Sequence, residues 1–145
     1  MYSFRNDYSE GAHPKVLQAL ADTNLRQTVG YGMDPCCQAA ADTIRRLCAA
    51  PDAAVHFLVG GTQVNLVTID AFLQSYEAVV AAQTGHVSTH ETGAIEATGH
   101  KVCTVESPDG KLTPALVESV LAGHNGTEHM VLPRMVYISD TTEIG

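Results

Sequence analysis

Ala54-Val55-His56-Phe57-Leu58-Val59-Gly60-Gly61-Thr62-Gln63-Val64-Asn65 is the stretch whose reading decides the fold. An apolar run, a glycine turn and the opening of a helix follow one another without a break. The pattern predicts a buried strand over 54–59 and a helix from Thr62 to about Gln74. The first turn of a helix leaves backbone N–H groups without intrahelical partners, and the helix dipole makes that end positive. With two glycines permitting close approach and the Thr62 hydroxyl beside them, Gly60-Gly61-Thr62 forms a cup for an anion, most often phosphate. The same residues also suit a plain helix start. Neither G-x-G-x-x-G nor G-K-[ST] occurs here, so the nucleotide-binding fingerprints are absent.

Working outward, the helix over 62–74 is apolar nearly all round and is expected to be largely buried. Ala78-Val79-Val80-Ala81-Ala82 is a short continuous apolar run of the parallel-sheet kind, and Gln83-Thr84-Gly85-His86 leaves it. A helix is predicted from Glu91 to Ala97, closed by Gly99. Lys101–Val105 reads as a strand, Pro108-Asp109-Gly110 as a turn and Thr113 to about Leu121 as a helix. Arg134–Ile138 reads as the last strand, and Ser139-Asp140-Thr141-Thr142 follows it.

Toward the N-terminus, residues 1–13 are a polar arm. Pro14 opens a helix through about Asp22, with Val16, Leu17 and Leu20 as its stripe. Asp34-Pro35 caps and starts another, whose apolar positions 37, 40, 41, 44, 47 and 48 keep the helical period. The organisation expected is one incomplete domain over 1–145: an arm (1–13), a helical lead-in (14–50) and an α/β core portion (51–145). Strands alternating with helices mean an α/β fold with a mainly parallel sheet. Ligands bind such sheets beyond the carboxyl ends of their strands. The turn at 60–62, His86 and Asp140-Thr141 are all expected at that edge.

The bulk properties narrow the function. The 145 residues are 45% apolar and 17% charged, with a net charge of −8. That balance argues against a general nucleic-acid or anionic-membrane binder, but not against a local anion site. No apolar run approaches membrane-spanning length, which points to a cytoplasmic protein. The four cysteines, Cys36, Cys37, Cys48 and Cys103, form no C-x-x-C pair. They read as reduced and structural, with Cys37 and Cys48 as small buried hydrophobes. His86 and His90 have the i, i+4 spacing of a metal pair, with Glu91, His100 or a distant residue as candidate third ligand. A loop histidine stacking on an aromatic ligand suits His86 better, and no metal is assigned.

The ordered set of motifs resembles one family. It comprises Phe4-Arg5-Asn6-Asp7, Tyr31-Gly32-Met33-Asp34-Pro35, Val59-Gly60-Gly61-Thr62-Gln63-Val64-Asn65, His86-Val87-Ser88-Thr89-His90-Glu91-Thr92-Gly93-Ala94, Asp109–Pro114 and Val136-Tyr137-Ile138-Ser139-Asp140-Thr141-Thr142. It is similar to the N-terminal part of the low-specificity L-threonine aldolases, within the aromatic amino acid β-eliminating lyases. These are pyridoxal-phosphate enzymes of the aspartate-aminotransferase fold. The resemblance implies a fold-type-I large domain, pyridoxal 5'-phosphate as cofactor, a small amino-acid substrate and a homo-oligomer, dimer or tetramer. It implies that Gly60, Gly61 and Thr62 hold the cofactor phosphate, with Glu91 and Asp140 also near the cofactor. It makes His86 the ring-stacking, catalytic residue. It implies that Asn6, where the family more often has serine, and Tyr31, reaching across a subunit interface, contact substrate. His90 stands where the family often has tyrosine.

The resemblance further implies that the Schiff-base lysine and the aspartate facing the pyridine nitrogen belong to a later part of the family's sequence. Lys15, Lys101 and Lys111 do not stand in the lysine's motif. The expectation is therefore a lyase cleaving a β-hydroxy-α-amino acid to glycine and an aldehyde, of which this chain is a truncated, inactive fragment. The alternatives are a non-catalytic phosphate-binding or assembly fragment, and a β-eliminating amino-acid lyase.

Overall fold

The computed structural model describes residues 6, 8–124 and 127–145. It comprises two compact units, Met1–Phe57 and Leu58–Gly145.

The first unit contains α1 (Pro14–Thr23) and α2 (Pro35–Leu47), each with proline in its first turn. Their starts are set locally. His13 Nδ1 accepts the Lys15 N–H at 3.2 Å, and Asp34 Oδ1 accepts those of Cys36 and Cys37 at 2.9 and 3.0 Å. Hydrogen bonds from Cys37, side chain first and then backbone, hold the Asp34 carboxyl below its usual range. Ala41 is the one buried residue described in this unit's helices. Cys48 is exposed and Cys37 half-buried, so neither is the buried hydrophobe expected from its spacing. The stripe on α2 is amphipathic as read, but Ile44 and Leu47 on it are exposed among the described residues.

The second unit holds α3 (Gly61–Phe72), β1 (Glu77–Ala82), α4 (His86–Thr89), α5 (Ala94–Ala97), β2 (Lys101–Val105), α6 (Pro114–His124) and β3 (Leu132–Val136). The three strands are parallel, in the order β2-β1-β3. Central β1 is buried on both faces from Ala78 to Ala82, as its continuous apolar run requires. Val79 and Ala81 point to one face, where they pack with Ile69 and Leu73, Val87 of α4 and Ile95 of α5. Val80 and its register partner Cys103 lie on the other face, against which α6 packs. The α/β parallel-sheet fold read from the sequence is therefore the observed one.

Four local expectations are corrected. Residues 54–59 are not a strand. The described sheet has three strands and none pairs with this segment. The Val59 N–H instead donates to the Gln63 side-chain oxygen at 2.9 Å, and Val59 is 95% exposed. The predicted helix over 91–97 is reduced to the single turn α5, because Thr92 and Gly93 both take positive φ (55° and 74°) and keep 91–93 out of it; α4 is a separate turn before it. Helix α3 is not largely buried: Ile69 is its buried residue, while Val64, Val67 and Phe72 are exposed. Only its inner face meets the core, and its all-round apolarity reported composition rather than cover. Finally, β3 begins at Leu132 rather than Arg134. Pro133 is accommodated at a register shift opposite Ala78 and Val79, where a missing N–H costs the ladder least.

Candidate functional site

The turn before α3 is held by its own residues. Gly60 caps the helix through its backbone, its carbonyl accepting the Val64 N–H at 3.0 Å, and no side chain caps the end. The first-turn N–H groups therefore point outward as unpaired donors. A Cβ built at Gly60 or at Gly61 would meet nothing within 4 Å, so the space beyond this helix end is open.

His86 opens α4 immediately after Gly85, three residues beyond the end of β1. Gly85 is buried and its N–H donates to the Ala82 carbonyl at 2.8 Å, turning the chain sharply off the sheet. The His86 ring remains partly exposed, and its Nδ1 lies 2.8 Å from Glu91 Oε1. Glu91 is buried, with its side chain fully shielded. The same Oε1 accepts a hydrogen bond from the side-chain amide of Asn65, one helical turn into α3. The other carboxylate oxygen, Oε2, is buried without a partner among the described residues. Asn65, Glu91 and His86 thus form one string running from the opening of α3 to the loop after β1. The chemistry available along it is a helix end offering N–H groups, with an imidazole held in a fixed orientation nearby.

The sequence-derived candidates sort accordingly. His86 and Glu91 are brought together directly, and Asn65 ties both to the helix led by Gly60, Gly61 and Thr62. Asp140 follows β3 and is exposed on a cleft of about 510 Å³ lined also by Gly110, Lys111, Leu112 and Ser139. A smaller pocket links Ser139 and Thr142 with Thr84 and Gly85, so the β3 and β1 loops adjoin. Asn6 and Tyr31 belong to the first unit. There Asn6 Oδ1 accepts from the Tyr8 N–H at 3.2 Å and from Ser9 Oγ, and Tyr31 is fully exposed with φ 62°. The His90 ring meets the His86 ring edge-on at 5.5 Å. Among the described residues no group of three His, Cys, Asp or Glu side chains is placed to hold a metal ion. Asn65 is the residue of this string that sequence reasoning did not single out, because its partner Glu91 lies 26 residues away.

The beta-eliminating lyase family profile matches residues 4–145. This chain belongs to the beta-eliminating lyase family. It is 35% identical over 144 residues to a low-specificity L-threonine aldolase of Pseudomonas sp. strain NCIMB 10558, and 33% identical over 144 residues to that of Pseudomonas aeruginosa. Each alignment takes 98% of this chain and 41% of the relative. A solved structure of Leishmania major threonine aldolase superposes with a TM-score of 0.95 at 57% identity, over 100% of this chain and 42% of that one. The chain therefore spans about two-fifths of the relatives it matches, and its parallel sheet with flanking helices is a portion of this lyase family's fold-type-I architecture.

Proposed function

We propose that this chain supplies cofactor-facing residues of a pyridoxal-phosphate-dependent lyase that cleaves a β-hydroxy-α-amino acid such as threonine to glycine and an aldehyde. The observation that carries the reading is the Asn65–Glu91–His86 string beside the open end of α3. A phosphorylated aromatic aldehyde needs an anion cup and a flat partner for its ring. This region offers both, and open space over Gly60 and Gly61 fits a ligand that approaches the backbone closely. When bound, pyridoxal phosphate supplies the electron sink into which the Cα–Cβ bonding pair is drawn. In this reading the Gly61 and Thr62 N–H groups and the Thr62 hydroxyl bind phosphate, and His86 stacks on the ring as the catalytic-site histidine. Glu91 orients His86, and Asp140 is assigned to the cofactor's surroundings from the adjoining cleft. The substrate roles of Asn6 and Tyr31 rest on the family resemblance alone. So do the homo-oligomeric state and the cytoplasmic location; among the described residues no helix is long and apolar enough to cross a membrane.

The proposal does not assign the cofactor's covalent lysine to Lys15, Lys101 or Lys111, and it expects little turnover from the 145 residues alone. One titration tests it. Added pyridoxal phosphate is followed by induced circular dichroism, then reduced with borohydride and mapped. Wild type binds the cofactor, and Thr62→Ala binds it about ten- to a hundredfold more weakly, the value of one hydrogen bond to a charged group. The peptide map shows no stoichiometric lysine adduct. Equal binding by Thr62→Ala, or a stoichiometric adduct on one of the three lysines together with threonine cleavage, counts against the assignment.

A further inference from the structure

We infer that Asn65 is a positioning residue that, through Glu91, fixes the proton of the His86 ring on Nδ1 and leaves Nε2 as the lone-pair nitrogen at the open face. The inference rests on the proposed role of His86, but its geometry stands independently of any cofactor.

A single carboxylate oxygen decides where the proton lies. Glu91 Oε1 receives the Asn65 amide and faces His86 Nδ1 at 2.8 Å. An amide nitrogen is a donor only, so its hydrogen takes one of the two in-plane acceptor directions of Oε1. The hydroxyl oxygen of a carboxylic acid is a poor acceptor. Donation from Asn65 therefore favours Oε1 as a bare carboxylate oxygen, and the proton shared with the imidazole lies on Nδ1. The partner arrangement, with Glu91 protonated at Oε1 and donating to Nδ1, would weaken the Asn65 bond. The other oxygen offers no relief, because Oε2 is buried with nothing among the described residues to accept a proton's hydrogen bond.

Burial makes the device specific. Glu91 is only 4% exposed, so water does not compete for Oε1 and the amide decides which state is satisfied. Asn65 lies one turn into α3, and His86 lies in the first turn of α4 after β1. The bond therefore also ties the ring's orientation to the helix whose N-terminus lies nearby. A ring stacked on a planar ligand keeps its plane through Nδ1, while Nε2 is left to accept a proton or hydrogen bond from whatever occupies the open side.

The test reads the ring nitrogens directly, by long-range proton–nitrogen correlation on the full chain labelled at histidine, with no cofactor present. Wild-type His86 is expected as a single tautomer with the proton on Nδ1. Asn65→Ala should lose that single-tautomer signature and show averaged ring nitrogens, with the far-ultraviolet dichroism unchanged. Asn65→Asp, which puts an acceptor against Oε1, should shift the ring furthest. Wild-type His86 carrying its proton on Nε2 overturns the inference without need of a variant. So does a folded Asn65→Ala whose ring pattern is unchanged. If wild type and Asn65→Ala behave as expected but pyridoxal phosphate does not bind, the proposed function falls while the tautomer assignment stands.

Discussion

Of the glycine-led turns that start helices in the second unit, those before α4 and α3 obey different constraints. At Gly85 a Cβ would come to 3.0 Å from the Ala82 carbonyl oxygen, so the chain's own packing favours glycine. At Gly60 and Gly61 a Cβ would meet nothing within 4 Å, and neither residue has positive φ. Nothing inside the described chain requires glycine there. The first turn is shaped from within, to leave the sheet tightly and present His86. The second makes sense only with respect to something outside it, and that is why it is the better candidate for ligand contact.

The comparison can be broken by substitution. The largest effect is expected for Gly85→Ala, where the added methyl must push against backbone rather than a mobile side chain. Overpacking of this kind costs about 1–3 kcal/mol, measured as a lower midpoint in urea. A neutral result would mean that the loop after β1 yields, and that His86 is less firmly placed than its bonds suggest. Gly61→Ala should go the other way, stabilising the fold by about 0.5 kcal/mol through lost unfolded-state entropy while weakening phosphate or pyridoxal phosphate binding. If it stabilises and binding is untouched, no ligand approaches this backbone.

The smallest effect sharpens the comparison from the neighbouring cleft. Hydrogen bonds from the Lys111 N–H at 3.2 Å and the Ser107 hydroxyl at 3.1 Å, the backbone bond foremost, hold the Asp109 carboxyl below its usual range. A lowered folded-state value means that the stabilisation is complete above the unfolded value of about 3.9. It is lost as the pH falls through the folded value below that. Asp109→Asn should therefore lose slightly at neutral pH and flatten the acid limb of a urea-midpoint profile, with no change in cofactor affinity. An unchanged acid limb would show that this exposed turn does not contribute.

How much was legible from sequence varies with the range of the interaction responsible. Helix starts at Pro14 and Pro35 were readable because their caps are one to three residues away: His13 to Lys15, and Asp34 to Cys36 and Cys37. The β1 run was readable because burial on both faces leaves a continuous apolar signature, and β2 because burial on one face leaves an alternating one. Residues 54–59 were misread for the same reason. Their apolarity resembles a strand, but a strand exists only where another pairs with it. Within the site, His86 and Glu91 were each singled out through the resemblance, but the bond between them, five residues apart, was not. Neither was their partner Asn65, because it lies 26 residues from Glu91 and nothing local marks the bond.

The sequence by itself determined the α/β alternation, the helix caps, the glycine turn and the family to which the motifs belong. Each is encoded by neighbours or by an ordered set of short motifs. Tertiary structure alone decided three further points. It fixed which apolar runs became strands and which face of α3 met the core. It also chose the single carboxylate oxygen on which an amide from α3 and an imidazole from the loop after β1 converge. Those outcomes depend on contacts between residues far apart in the chain, and burial of Glu91 makes them selective by removing water as a competing partner.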